Sequence, residues 1–145
     1  MFSNIIEDIR NSIETFTKSN KVSLVKITYD EKCFGNKIID LLISELYFQI
    51  VCDRDFISVY VCSKHQTNQI YHLEDILNIQ GIACKKYESL KYLEALPLIV
   101  NLILENSLKI NQFFDHGKGK TKSKINKLLT SPECRIWISG RNENR

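Results

Sequence analysis

Apolar residues fall along this chain in two different rhythms. Phe2, Ile5, Ile6, Ile9, Ile13 and Phe16 recur at three- and four-residue spacing, with Glu7, Asp8, Arg10 and Glu14 mostly off the stripe. That period predicts an N-terminal amphipathic helix with one buried face. Ser3 is placed to cap it, Glu7 and Asp8 to favour the positive end of its dipole, and Ser19-Asn20 to stop it. From Val22 the period falls to two. Val22–Tyr29 is rich in β-branched residues and reads as a strand with Val25, Ile27 and Tyr29 on one face. Asp30-Glu31-Lys32 follows as an exposed turn, and after Gly35-Asn36 a second strand runs from Ile38 to Ile43.

The next segment predicts a hairpin in register. Leu46, Phe48, Ile50 and Cys52 point one way, and Ile57, Val59 and Val61 join them if residues 53 and 56 close a two-residue turn at 54–55. The opposite face then carries Tyr47, Gln49 and Val51 beside Phe56, Ser58 and Tyr60. That face is amphipathic and aromatic, so either a helix covers part of it or it is a contact surface. The covered arrangement is the ordinary one, because soluble domains rarely expose a large apolar patch. Gln69–Leu73 reads as a further short strand, and Leu73–Ile79 as a short helix ending near Gly81. Leu90–Phe114 is a longer helical region in which Pro97 kinks or restarts the helix, with Gly117 as its stop. A last short helix is expected over Lys120–Leu129. The whole pattern is α+β: an antiparallel meander of four or five strands, with an N-terminal helix and C-terminal helices packed on it. The expected core includes Ile9, Ile13, Phe48, Ile50, Ile57, Val59, Leu96, Val100 and Ile103.

Composition adds limits. The 145 residues suit one domain, and 43% hydrophobic with 26% charged residues suits a folded chain. The formal net charge of +3 is too small to argue for nucleic-acid binding alone. Its distribution says more. Residues 1–60 hold seven Lys/Arg against nine Asp/Glu, whereas 61–145 hold thirteen against eight. The basic excess is concentrated between Asp115 and Lys127. The five cysteines are odd in number and form no C-x-x-C pair, which suggests a reduced, cytoplasmic setting free of disulfides. The first ten residues carry acids where a secretion signal needs an apolar run. The most apolar stretch, Leu96–Leu104, is far short of the ~20 residues that cross a bilayer.

No local motif announces catalysis. Gly117-Lys-Gly-Lys-Thr lacks the spacing of a phosphate loop and follows a helix where a strand is required. The histidines are His65, His72 and His116; His72 near Glu74 and Asp75 reads as a strand-end histidine at a helix start, and no spacing completes a metal site. No cofactor is expected. Asp30, Glu31, Asp40, Glu45, Asp53 and Asp55 gather around the sheet, mostly at turns where solvated acids are common. Such acids also suit the cationic active site of a nuclease.

The string Phe34-Gly-Asn-Lys-Ile-Ile-Asp-Leu, then Leu46-Tyr-Phe-Gln-Ile-Val-Cys-Asp-Arg and Ile57-Ser-Val-Tyr-Val, resembles a bacterial family of small immunity proteins that accompany polymorphic toxins, including those of contact-dependent growth inhibition. Tyr71-His-Leu-Glu-Asp-Ile matches a further segment. The resemblance covers residues 34–79, about a third of the chain, and departs at Asp55, where the family pattern has Gly. It implies a non-enzymatic protein that binds a cognate toxin domain one to one in the cytoplasm and neutralises it, with a nuclease as the expected toxin. Its partner surface is expected at Asp53, Asp55, Tyr47 and Tyr60, with Asp30 and Glu31 alongside. The first rival reading is a small nucleic-acid-binding protein that uses Lys118, Lys120, Lys122, Lys124 and Lys127. The second is an enzyme whose site, with His65 or His72, is assembled in space.

Overall fold

The computed structural model describes residues 2–30, 35–54, 56–82 and 90–115. Helices α1 (Phe2–Ser12) and α2 (Glu14–Lys18) lead into five strands, β1 (Ser23–Asp30), β2 (Asn36–Ile43), β3 (Leu46–Asp53), β4 (Phe56–Ser63) and β5 (Gln66–His72). Helices α3 (Leu73–Ile79), α4 (Tyr92–Glu105) and α5 (Ser107–Asp115) follow. The strands form one sheet in the order β1-β2-β3-β4-β5, every neighbouring pair antiparallel. This is the α+β meander expected from the two rhythms.

Tight turns make consecutive strands neighbours. The β3–β4 pairing runs from Leu46↔Ser63 through Phe48↔Val61 and Cys52↔Ile57 to Asp53↔Phe56, the register expected from alternation. Arg54 turns the chain with φ +58°. Ser44, at the β2–β3 turn, also has φ +58°, a conformation that costs an L-residue about 1–2 kcal/mol. Gly35 enters β2 at φ +71°, and a Cβ there would stand 3.4 Å from the Tyr29 hydroxyl, an ordinary contact. This position therefore favours glycine on conformational grounds.

The described helices all supply residues to one face of the sheet. Ile9 and Ile13 of α1, Ile76 and Leu77 of α3, Leu96, Ile99 and Val100 of α4, and Ile110 and Phe113 of α5 share a single core with Ile39, Leu41, Phe48, Ile50 and Val61. Of the expected core, Ile57 and Val59 are half-buried and pack against this cluster from its margin. Tyr71 of β5 holds α5 edge-on, its ring centroid 5.3 Å from Phe113 and 5.5 Å from Phe114.

Four local expectations change. A bulge between Leu24 and Lys26 breaks the alternation of β1, so Val25 is 49% exposed and Leu24 joins Ile27 against the core. The extra residue is accommodated at an edge strand, where bulges are common. Ser3 lies inside α1 and does not precede it, which moves Glu7 and Asp8 beyond the first turn. The N-terminal helix is also interrupted at Ile13, so it forms two pieces before Asn20 ends it at φ +62°. The C-terminal helical region runs through Pro97 and breaks instead at Asn106. There the Asn106 side chain donates to the Leu102 carbonyl at 2.9 Å, a local bond that competes with continued helix.

Candidate functional site

The second face of the sheet has a different composition. Strand register arranges its side chains in rows that cross the strands. One row reads Lys26, Asp40, Gln49, Tyr60, His72, one residue from each of the five strands in turn. At ~4.8 Å between strands it is about 19 Å long. The Gln49 side-chain amide donates to Asp40 at 3.1 Å, and the Tyr60 ring lies 4.7 Å from that of His72. These groups are largely removed from solvent: Asp40 is 7% exposed, Gln49 1% and Tyr60 9%. Beside this row, Tyr60, Cys62 and Ile70 form a small cluster of their own, with Tyr47 and Val51 packed against it. Among the described residues no helix contributes to that cluster.

A second row lies at one end of the same face. Asp30 pairs with Asn36 across β1–β2. The Lys37↔Cys52 pair, continued by one residue, brings Asn36 beside Asp53, and Asp53 pairs with Phe56. The antiparallel meander thus gathers Asp30 and Asp53, 23 positions apart in the sequence, at one end of the sheet. Asp53 and Arg54 are exposed. Phe56 is 67% exposed, unlike the large apolar residues of the core face. On the reverse side of this end the Lys37 ammonium sits 4.4 Å from the Tyr92 ring centroid, a cation–π contact that ties the start of α4 to the sheet.

The opposite end is closed by ion pairing. Glu45 accepts from Lys64 Nζ at 3.1 Å and lies 3.0 Å from His65 Nε2, while the Lys64 backbone N–H donates to the Glu45 carbonyl at 2.9 Å. The hydrogen bonds from Lys64 and His65 hold the Glu45 carboxyl below the usual carboxylate range. His65 therefore serves a turn, and His72 packs on Tyr60. Among the described residues no three His, Cys, Asp or Glu side chains converge as metal ligands. The apolar crevice between the β2–β3 turn and α5, lined by Ile43, Leu46, Phe48 and Ile110, leaves no room for a water molecule.

The structure thus brings Tyr47, Tyr60, Asp53 and Asp30 onto one face. Tyr47 is half-buried near the β2–β3 turn, at the opposite end of β3 from Asp53, and Tyr60 lies beneath the surface. Glu31 and Asp55 lie outside the described residues, as do Lys118, Lys120, Lys122, Lys124 and Lys127 and the helix expected over 120–129. Phe56 lies on the second face, as expected, through its pairing with Asp53. One feature went unread in the sequence. Asp40 and Gln49 are symmetrically placed about the Ser44-Glu45 turn, and that spacing is the signal that could have paired them.

No protein-family model, curated protein or solved structure matches this chain.

Proposed function

We propose that this protein is an immunity protein, which binds a cognate toxin domain one to one in the cytoplasm and neutralises it, with a nuclease as the toxin. The observation that carries this reading is the division of the sheet. Its described helices pack on one face, while the other carries hydrogen-bonding and aromatic side chains that are buried at its centre and give way to an exposed hairpin tip. An inhibitor of a lethal enzyme must leave almost no free toxin. Nanomolar affinity, about −12 kcal/mol, is the scale required. A rigid sheet face suits that demand, because its backbone is already ordered and little further entropy is lost on docking.

Asp53, Asp55 and Tyr47 carry contacts in this reading, Asp30 and Glu31 extend them, and Tyr60 supports the surface from beneath. Cys52 and Cys62 are buried thiols, in keeping with a reducing compartment. The test is co-purification with the C-terminal domain of a large secreted protein encoded immediately upstream. A stable 1:1 complex that abolishes the domain's toxic activity is the expected result. Absence of binding at micromolar concentrations of both proteins would overturn the reading.

A further inference from the structure

The centre of the second face is buried, and no described helix buries it. Gln49, Cys62 and Ile70 are each 1% exposed and Tyr60 9%, although α1, α3, α4 and α5 supply their core residues to the opposite face. The register also sets Ile38, Leu42 and Val51 on this second face, and all three are half-buried. Among the large apolar residues described in β2–β5, Phe56 at the hairpin tip is the exposed one. An open face of an antiparallel sheet turns polar side chains to water. A face of this apolar content, removed from water within a single chain, has a cover.

The chain itself narrows the choice of cover. Beyond the described residues lie the turn positions 31–34 and 55, the seven residues 83–89, and the thirty residues 116–145. The turn positions belong to one end of the sheet, and 83–89 joins α3 to α4, two helices of the opposite face. Segment 116–145 starts where α5 packs on Tyr71 of β5, an edge strand. It has only to round that edge. The ~19 Å to the far strand is within reach of thirty residues, which span about 45 Å even as continuous helix.

The composition of the segment fits as well. Ile125, Leu128 and Leu129 recur at helical spacing, and Ile136-Trp137-Ile138 follows. It holds eight Lys/Arg against two Glu, whereas the 115 residues before it hold twelve against fifteen. The two parts of the chain therefore attract one another.

We infer that segment 116–145 is the cover of the second face, its apolar side chains seated over Tyr60, Cys62 and Ile70 between Tyr47 and Val51. The inference does not rest on the immunity reading, whose exposed hairpin tip it leaves open. It gives the lysines of 118–127 an acidic counterpart within their own chain.

The test uses the full chain, labelled at its thiols in the native state and read site by site by mass spectrometry. Cys62 lies beneath the inferred cover and Cys52 beneath the helices, so Cys52 reports on the core. Both are expected to label slowly in the parent. Ile136→Asp with Ile138→Asp is expected to speed labelling of Cys62 at least tenfold and to leave Cys52 unchanged. A photoreactive benzoylphenylalanine in place of Tyr47 is expected to crosslink, within one molecule, to a peptide of 116–145. Rapid labelling of Cys62 in the parent overturns the inference, because the face is then open. Slow labelling of Cys62 in the double variant overturns it too, because another segment is then the cover. If the variant opens both thiols, its core is lost and the crosslink decides. An adduct to 116–145 supports the cover; an adduct elsewhere, an adduct between two molecules, or none at all overturns it.

Discussion

Single residues on this sheet behave according to the face they occupy. Phe48 is fully buried in the helix-covered core, and Phe48→Ala should cost about 3–5 kcal/mol in chemical denaturation. An unchanged midpoint would mean that the faces of the hairpin are inverted. Cys52 lies on the same face, and burial pushes its thiol up to about 11, with Lys37 pulling weakly the other way. In the native protein at pH 8 it should therefore react with a disulfide reagent far more slowly than a free thiol, whose pKa is about 8.5. All five cysteines should react once the chain is unfolded. Rapid native labelling at Cys52 would contradict the packing described for it. Gln49 illustrates the other face: Gln49→Ala removes the amide that donates to a nearly buried Asp40, and a loss of about 1–3 kcal/mol is expected.

Elements reveal which parts of the fold could be read from the sequence. The β3–β4 hairpin was legible to the residue, because strict alternation on both strands and a two-residue turn leave one register that buries Phe48, Ile50 and Val61 together. The β1 bulge was not. Nothing in Leu24-Val25-Lys26 marks an extra residue, and its consequence, Lys26 opposite Asp40 with Leu24 kept against the core, exists only once the strands are paired. The helix break was misplaced for a related reason. Pro97 is the sixth residue of α4, past the first turn where a missing N–H costs nothing, yet the helix continues through it, and Asn106 bonds back to Leu102 nine residues later. The candidate surface was only half legible: turn acids stand out in a sequence, whereas the rows that unite Asp30 with Asp53, or Asp40 with Gln49, exist only once five strands are aligned.

Two predictions belong to the turns. Ser44 holds a positive φ without glycine's freedom, so Ser44→Gly should raise the denaturation midpoint by about 0.5–1 kcal/mol worth of stability. At the ion-paired end, Glu45 titrates below its unfolded value. Its contribution is therefore fully present above the unfolded carboxylate pKa and is lost as pH falls through the folded one. Acidification should loosen the contact between the Ser44-Glu45 and Lys64-His65 turns, visible as pH-dependent amide shifts at those residues. Glu45→Gln should remove that dependence. Because the group is fully exposed, the change should be read locally and not in global stability.

At the scale of the whole molecule, charge and architecture oppose one another. The basic excess belongs to the second half of the sequence, while Asp30 and Asp53 share a row at one end of the sheet. Among the described residues no helix is long and apolar enough to cross a membrane. The fold thus separates a helix-packed face from a face whose hairpin tip is exposed. A growth-protection assay asks whether this second face disarms a toxin. Cells expressing the upstream-encoded toxin domain should grow when the parent protein is co-expressed. They should fail when Asp53→Lys and Asp55→Lys are combined. Growth should be retained when the same two-charge reversal is made on the helix side, at Glu94 and Glu105, with all proteins present at equal levels. Protection by the hairpin double variant equal to that of the parent would contradict the placement of the surface, and absence of protection by the parent itself would contradict the function.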